Sequence, residues 1–144
     1  MLVGGKSVQS TGGDYILIIR DNLPRFNAVY FMRSKNEVTK YFSRYLAGYR
    51  FPCVCADDAA EFKGEAFIDL CRERGIREDF ITRGSPQFNV VADRGIAMIE
   101  SADKAAATQA RLMFPIMVVP SNDPLWTAQA YWGCHALNLE SDQL

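Results

Sequence analysis

The sequence predicts a single mixed α/β domain, and three observations lead there. Two strand-like runs, "DYILIIRD" at 14–21 and "FNAVYFMR" at 26–33, are separated only by the turn "NLPR" and read as a hairpin. Beyond them, short strand-like segments alternate with helical ones, the pattern of strand–helix crossovers. At 144 residues, with 49% hydrophobic and 12% aromatic content, the chain is long enough to bury a real core in one domain.

Each element has a local reason. "DYILIIRD" is a near-continuous apolar run, as a buried strand requires. "FNAVYFMR" is rich in aromatic and β-branched residues, which suit a pleated partner strand. Ser34 followed three residues later by Glu37 is a capping box, so a helix starts there. Val38, Tyr41, Phe42, Tyr45, Leu46 and Tyr49 form its apolar stripe, which reads as core-facing. Pro52 follows its end, and "CVCA" is a short strand. In "AAEFKGEAFIDLCRERG", Phe62, Phe67, Ile68, Leu70 and Cys71 give the next helical stripe, and Gly75 stops it. "IREDFIT", 76–82, is a strand with weaker alternation, and "RGSPQFN" is a loop. A long alanine-rich helix runs from about Val90 to Met113. "PIMVVPSNDP" breaks it, "LWTAQAYWGCHALN" at 125–138 is the last helix, and "LESDQL" is a polar tail.

Composition narrows the function classes. Net charge is -1, so no global field points to nucleic acid or membrane, although a local patch can still meet DNA. No apolar run approaches the ~20 residues of a membrane span, and "MLVGGKSVQS" has no apolar core of signal-peptide type. The expectation is a nuclear or cytoplasmic protein without a membrane partner. Cys53, Cys55, Cys71 and Cys134 lack the paired spacing of a zinc site, and His135 is the single histidine. Reduced, mostly buried thiols are the expectation, with Cys53 and Cys55 on one face of their strand.

The stretch "CVCADDAAEF" raises the chemical question. Asp57 and Asp58 stand at the tip of a buried strand, where they either cap the next helix or hold a metal. A companion, Asp93, stands at the start of the long helix, thirty-five residues beyond Asp57. There the plainer reading is a first-turn acid favoured by the helix dipole. A strand end and a helix start can also bring two carboxylates together over a hard cation. Metal ions held this way activate a water or a 3′-hydroxyl in phosphoryl transfer. Glu61 reads as an exposed first-turn acid.

These residues resemble a family. "GGDYILIIRDNLPRFNAVYFMRSKNEV", "ADDAAEF", "FIDLCRERGI", "SPQFNVVADR" and "LWTAQAYWGCHALN" resemble, in order, five motifs of the integrase catalytic core of copia-type retrotransposons. That core belongs to the ribonuclease H-like superfamily, and the resemblance covers nearly the whole chain. "ADDAAEF" stands where the family has "S/T-D-N-G-G-E-F", and "SPQFNVVADR" where it has "TPQQNGVAER". The resemblance implies a mixed sheet with flanking helices and Mg2+- or Mn2+-dependent DNA integration. Asp57 and Asp93 would be catalytic residues and metal ligands.

The departures matter as much. Asp93 falls on the family's glutamate and is one methylene shorter. The first catalytic aspartate opens a "D-x-x-GP" motif, and Met1 occupies its place. Asp14 and Asp21 are substitutes to consider. Ala59 and Ala60 replace a glycine pair, and Val90 replaces another glycine, so the loops around the site should be reshaped. The family's first strand is central in its sheet, and only "MLV" is left here as strand. The expectation is a domain over 1–144, amino-terminally truncated, with that strand lacking or reorganised, catalysis impaired and a homo-oligomer covering open edges. The alternative is a repurposed, non-catalytic module that binds nucleic acid or protein. Arg94, Lys104 and Arg111 on the long helix are candidates for DNA phosphate, against the commoner use as a solvated face. Trp126 and Trp132 pack the last helix or a partner chain.

Overall fold

In a computed structural model, residues 2–5, 13–21, 26–57, 59–81, 86–115 and 126–141 are described. The side chains of residues 2–5, 57, 81, 86–93, 103, 126, 140 and 141 lie outside that description. The strands are β1 (Leu2–Gly5), β2 (Tyr15–Arg20), β3 (Asn27–Met32), β4 (Cys53–Asp57) and β5 (Arg77–Ile81). The helices are α1 (Val38–Leu46), α2 (Glu65–Arg74), α3 (Pro86–Met113) and α4 (Trp126–Ser141), with short 3-10 turns at Lys35–Glu37 and Ala60–Phe62.

The strands form two sheets. β1, β2 and β3 pair antiparallel in that order, with Leu2 opposite Ile18 and Tyr15 opposite Met32. β4 and β5 pair parallel, Cys53 opposite Arg77 and Asp57 opposite Ile81. Among the described residues no ladder joins the two. The first strand is not lacking: β1 is a four-residue strand, longer than "MLV" alone, and among the described residues its ladder is with β2.

The hairpin is closed by its ends. The Asp14 and Asp21 N–H groups donate to Met32 and Phe26 carbonyls at 2.9 Å each. Gly13 is required there: its φ is +147°, and an added Cβ would lie 2.6 Å from the Met32 carbonyl oxygen. The capping box forms as written. Ser34 Oγ accepts from the Asn36 N–H at 3.3 Å, and Glu37 accepts from the Arg33 and Ser34 N–H groups. These two backbone bonds hold the Glu37 carboxyl below its ordinary pKa. Gly75 ends α2 in the left-handed conformation at φ +66°.

Alternation along β2 sends its side chains to two layers. Leu17 and Ile19 join Met32, Val38, Phe42, Tyr45, Leu46, Ala56, Phe62, Phe67, Cys71 and Ile76 in the main core, all buried. Phe67 stacks on Phe42 at 5.1 Å between centroids and meets Phe62 edge-on at 5.5 Å. Ile18 faces the other way, onto Ile99 of α3 and Ala130 of α4.

Two boundaries and one capping expectation differ from the sequence reading. α3 starts at Pro86, earlier than Val90, so part of the expected loop is helical. Proline is favoured at a first helical position, where no backbone donor is lost. α4 runs on to Ser141, taking in the start of the tail. Neither helix-capping position near the paired aspartates is an aspartate. Ala59 caps the 3-10 turn and Gly64 caps α2, both without a side-chain bond.

Candidate functional site

Asp57 is the last residue of β4, and the parallel ladder fixes its backbone against Ile81. Asp93 is the eighth residue of α3. Two residues on, Gly95 brings α3 against the end of β2. A Cβ there would sit 3.2 Å from Arg20 Cδ, and Arg20 reaches along the helix to Met98 Sδ at 3.5 Å. This close approach, with Ile99 on Ile18, seats the carboxylate-bearing half of α3 on the three-stranded sheet. The side chains of Asp57 and Asp93, and the whole of Asp58, lie outside the described residues. As donors the pair offers carboxylate oxygens, the ligand type a hard divalent cation requires.

The two substitutes considered for a third carboxylate stand at opposite ends of β2. Asp14 precedes it and Asp21 follows it. Only Asp21 is at the end where Gly95 crosses, next to Arg20.

Arg94, Lys104 and Arg111 are all exposed on α3. At about 100° per residue, Lys104 and Arg111 share one face and Arg94 is turned about 80° from Lys104. The three therefore make no single cluster. Lys104 and Arg111 form the aligned pair, roughly 10 Å apart along the axis.

Other residues depart from expectation. Glu61 is no exposed acid: its side chain is 8% accessible and pairs with Lys35 Nζ at 3.1 Å. Trp132 does not pack its own helix inward. It is 65% exposed, with Tyr131 beside it at 60%. The buried face of α4 is Thr127, Ala130 and Cys134. Asn138 anchors that face by exchanging bonds with Asn27 of β3. Its Oδ1 accepts from the Asn27 N–H and its Nδ2 donates to the Asn27 carbonyl, both at 2.8 Å. Tyr49, at the end of the tyrosine stripe, is 50% exposed.

The cysteines hold the largest surprise. Cys71 and Cys134 are buried as expected, but Cys53 is half-buried and Cys55 exposed. With Asp79 they bring two sulfurs and a carboxylate oxygen within 4.8 Å of one another. The Cys53 thiol donates to Asp79 Oδ2 at 3.1 Å, and Arg77 Nη2 lies 3.2 Å from the same oxygen. These bonds hold the Asp79 carboxyl below its ordinary pKa, the Cys53 bond first. Burial, then the Asp79 contact, pushes the Cys53 thiol up to about 11. The cluster was invisible to cysteine spacing because one ligand comes from a neighbouring strand. The "CVC" alternation was its only trace in the sequence.

The fold and sequence have relatives. No protein-family model matches the chain. It is 24% identical over 142 residues to the retrovirus-related Pol polyprotein from transposon TNT 1-94 of Nicotiana tabacum. That match takes in 94% of this chain but spans only about a tenth, 10%, of the relative's length. Two solved structures share the fold. One is the catalytic core domain of BIV integrase, with TM-score 0.62 and 12% identity, covering 90% of this chain and 88% of that one. The other is the HTLV-2 integrase catalytic core domain in complex with magnesium, in a trimeric form. Its TM-score is 0.61 at 11% identity, covering 85% of this chain and 72% of that one.

Proposed function

From a chain that has the ribonuclease H-like fold of integrase catalytic cores and is similar in sequence to a retrotransposon Pol polyprotein, we infer a retroelement integrase core with a depleted metal site. Its ancestral reaction is Mg2+- or Mn2+-dependent DNA strand transfer. Asp57 and Asp93 are the ligands that remain, and catalysis is impaired. One observation supports this reading: within that fold, Asp57 is the last residue of a strand and Asp93 belongs to the helix that crosses the three-stranded sheet.

The chemistry explains the impairment. Divalent ions at such a site would activate a 3′-hydroxyl or water and stabilise the leaving oxygen. Two carboxylates supply less charge and fewer ligands than three, and Asp93 reaches one methylene less far than glutamate. Lys104 and Arg111 would hold DNA phosphate, as exposed cations aligned on one helix face. The test is a strand-transfer and nicking assay with Mg2+ and with Mn2+, beside an intact integrase core. The expected result is activity far below that core, with any residual activity lost in Asp57→Ala. Robust Mg2+-dependent transfer would overturn the impairment.

A second reading has its own support. Leu112, Met113, Phe114, Tyr131 and Trp132 are all more than half exposed, which favours a module that self-associates or docks a partner. Salt-sensitive DNA binding or self-association without any metal-dependent cleavage would favour it.

A further inference from the structure

The β4–β5 pair has two chemically opposite faces. Val54, Ala56 and Phe80 pack toward the main core. Cys53, Cys55, Arg77 and Asp79 alternate with them and look outward. The parallel register sets Cys55 opposite Asp79 and Cys53 opposite Arg77. That register, with the Cys53–Asp79 hydrogen bond, gathers three ligating atoms within 4.8 Å of one another.

We propose that Cys53, Cys55 and Asp79 form a binding site for a thiophilic divalent cation of the Zn2+ class, with a fourth position open. The geometry is close to what such an ion needs. Tetrahedral zinc, with bonds of about 2.3 Å to sulfur and 2.0–2.2 Å to oxygen, holds its sulfurs roughly 3.8 Å apart and sulfur from oxygen roughly 3.5 Å. Cys53 and Asp79 already stand at 3.1 Å, and ordinary side-chain rotation on an exposed strand face closes the rest. The donor set selects the ion: two thiolates favour a soft cation over Mg2+ or Ca2+. Charge balances as well. Two thiolates and a carboxylate carry three negative charges, the ion two positive ones, and Arg77, 3.8 Å from Cys53 Sγ and 3.2 Å from Asp79, supplies the last.

Each ligating thiol gives its proton to the buffer as its sulfur bonds to the ion, so binding tightens as pH rises. The Asp79 carboxylate exchanges the Cys53 S–H for the ion. The site does not rest on the integrase reading. Its donors are mostly sulfur, whereas those of Asp57 and Asp93 are oxygen only, so magnesium does not compete for it.

The test is a titration of the reduced full chain with Cd2+ in excess Mg2+, followed by the sulfur-to-metal charge-transfer absorption, then displacement by Zn2+. The expected result is one saturable site per chain. Cys53→Ser and Cys55→Ser should each weaken it about a hundredfold, and Asp79→Asn about tenfold. Cys55 and Asp79 are exposed and Cys53 is half-buried outside the main core, so the variants should melt like the parent, which circular dichroism checks. Absence of the band, a band that survives in the double serine variant, or an Asp79→Asn chain that binds like the parent would each overturn the proposal.

Discussion

The two faces of the three-stranded sheet are held very differently. On one side, Leu17, Ile19 and Met32 enter a core of twelve buried residues built with α1, α2 and β4. On the other, the buried set is only Ile18, Ile99 and Ala130, with Ile16, Val29, Phe31, Ile96 and Leu137 half-buried around it. The first side stacks aromatic rings against each other. The second relies on aliphatic contacts, the Gly95 close approach and the Asn27–Asn138 clasp. Asp93, Arg94, Lys104 and Arg111 all ride on the second side. The dense face holds most of the buried core, and the thin face is covered by the helices that carry the exposed Leu112, Met113, Tyr131 and Trp132.

This contrast is broken most severely at Phe67. Phe67→Ala leaves a cavity between Phe42 and Phe62 and should cost about 3–5 kcal/mol in a denaturant melt. Ile99→Ala, on the thin face, should cost about 2 kcal/mol, because fewer neighbours surround it. Hydrogen exchange should then quicken in α4 while α2 stays protected. Equal losses at the two sites would erase the distinction.

The exposed side chains of the thin face sharpen the contrast from outside. Trp132 and Tyr131 should be covered when the chain self-associates. Analytical ultracentrifugation across a hundredfold dilution should show a dissociating oligomer, which Trp132→Ala weakens about tenfold, roughly the effect of losing one interface aromatic. A cooperatively melting monomer at every concentration would remove self-association and leave the patch to another partner.

The smallest effect is expected at the entry to α1. Ser34→Ala should lower stability by about 1 kcal/mol, the typical worth of such a cap. Glu37, the other half of the box, has its folded pKa depressed by the Arg33 and Ser34 N–H groups. Its contribution is therefore present above the ordinary glutamate pKa and fades as pH falls through the lowered folded one. The Glu37→Gln melt should accordingly converge with the parent in acid, while the Ser34→Ala difference, which rests on a neutral hydroxyl bond, persists.

What the sequence made legible was local chemistry. The hairpin, the capping box and the Gly75 stop each depend on residues within a few positions of one another, and each forms as read. The start of α3 was missed because "SPQFN" reads as a loop by composition, while Pro86 serves as a first helical residue. The first strand was legible only as altered from the family pattern. Its pairing could not be read, because β1 chooses its neighbour through the ladder with Tyr15–Ile18. The Cys53–Cys55–Asp79 group was hidden for the same reason. Its members meet only once β4 and β5 lie in register. Asp57 and Asp93 stood out because a family pattern marks them, a signal that periodicity alone does not contain.

The central claim is that Asp57 and Asp93 still converge on one divalent ion. Titration of the isotopically labelled chain with Mn2+ tests it most directly, with Cys53 and Cys55 changed to serine so that the sulfur site is silent. Paramagnetic broadening should strike amides around Asp57 and around Asp93 together, at the same Mn2+ concentration, and Asp57→Ala should abolish both effects. Broadening at only one of the two positions, or at neither, would contradict the account.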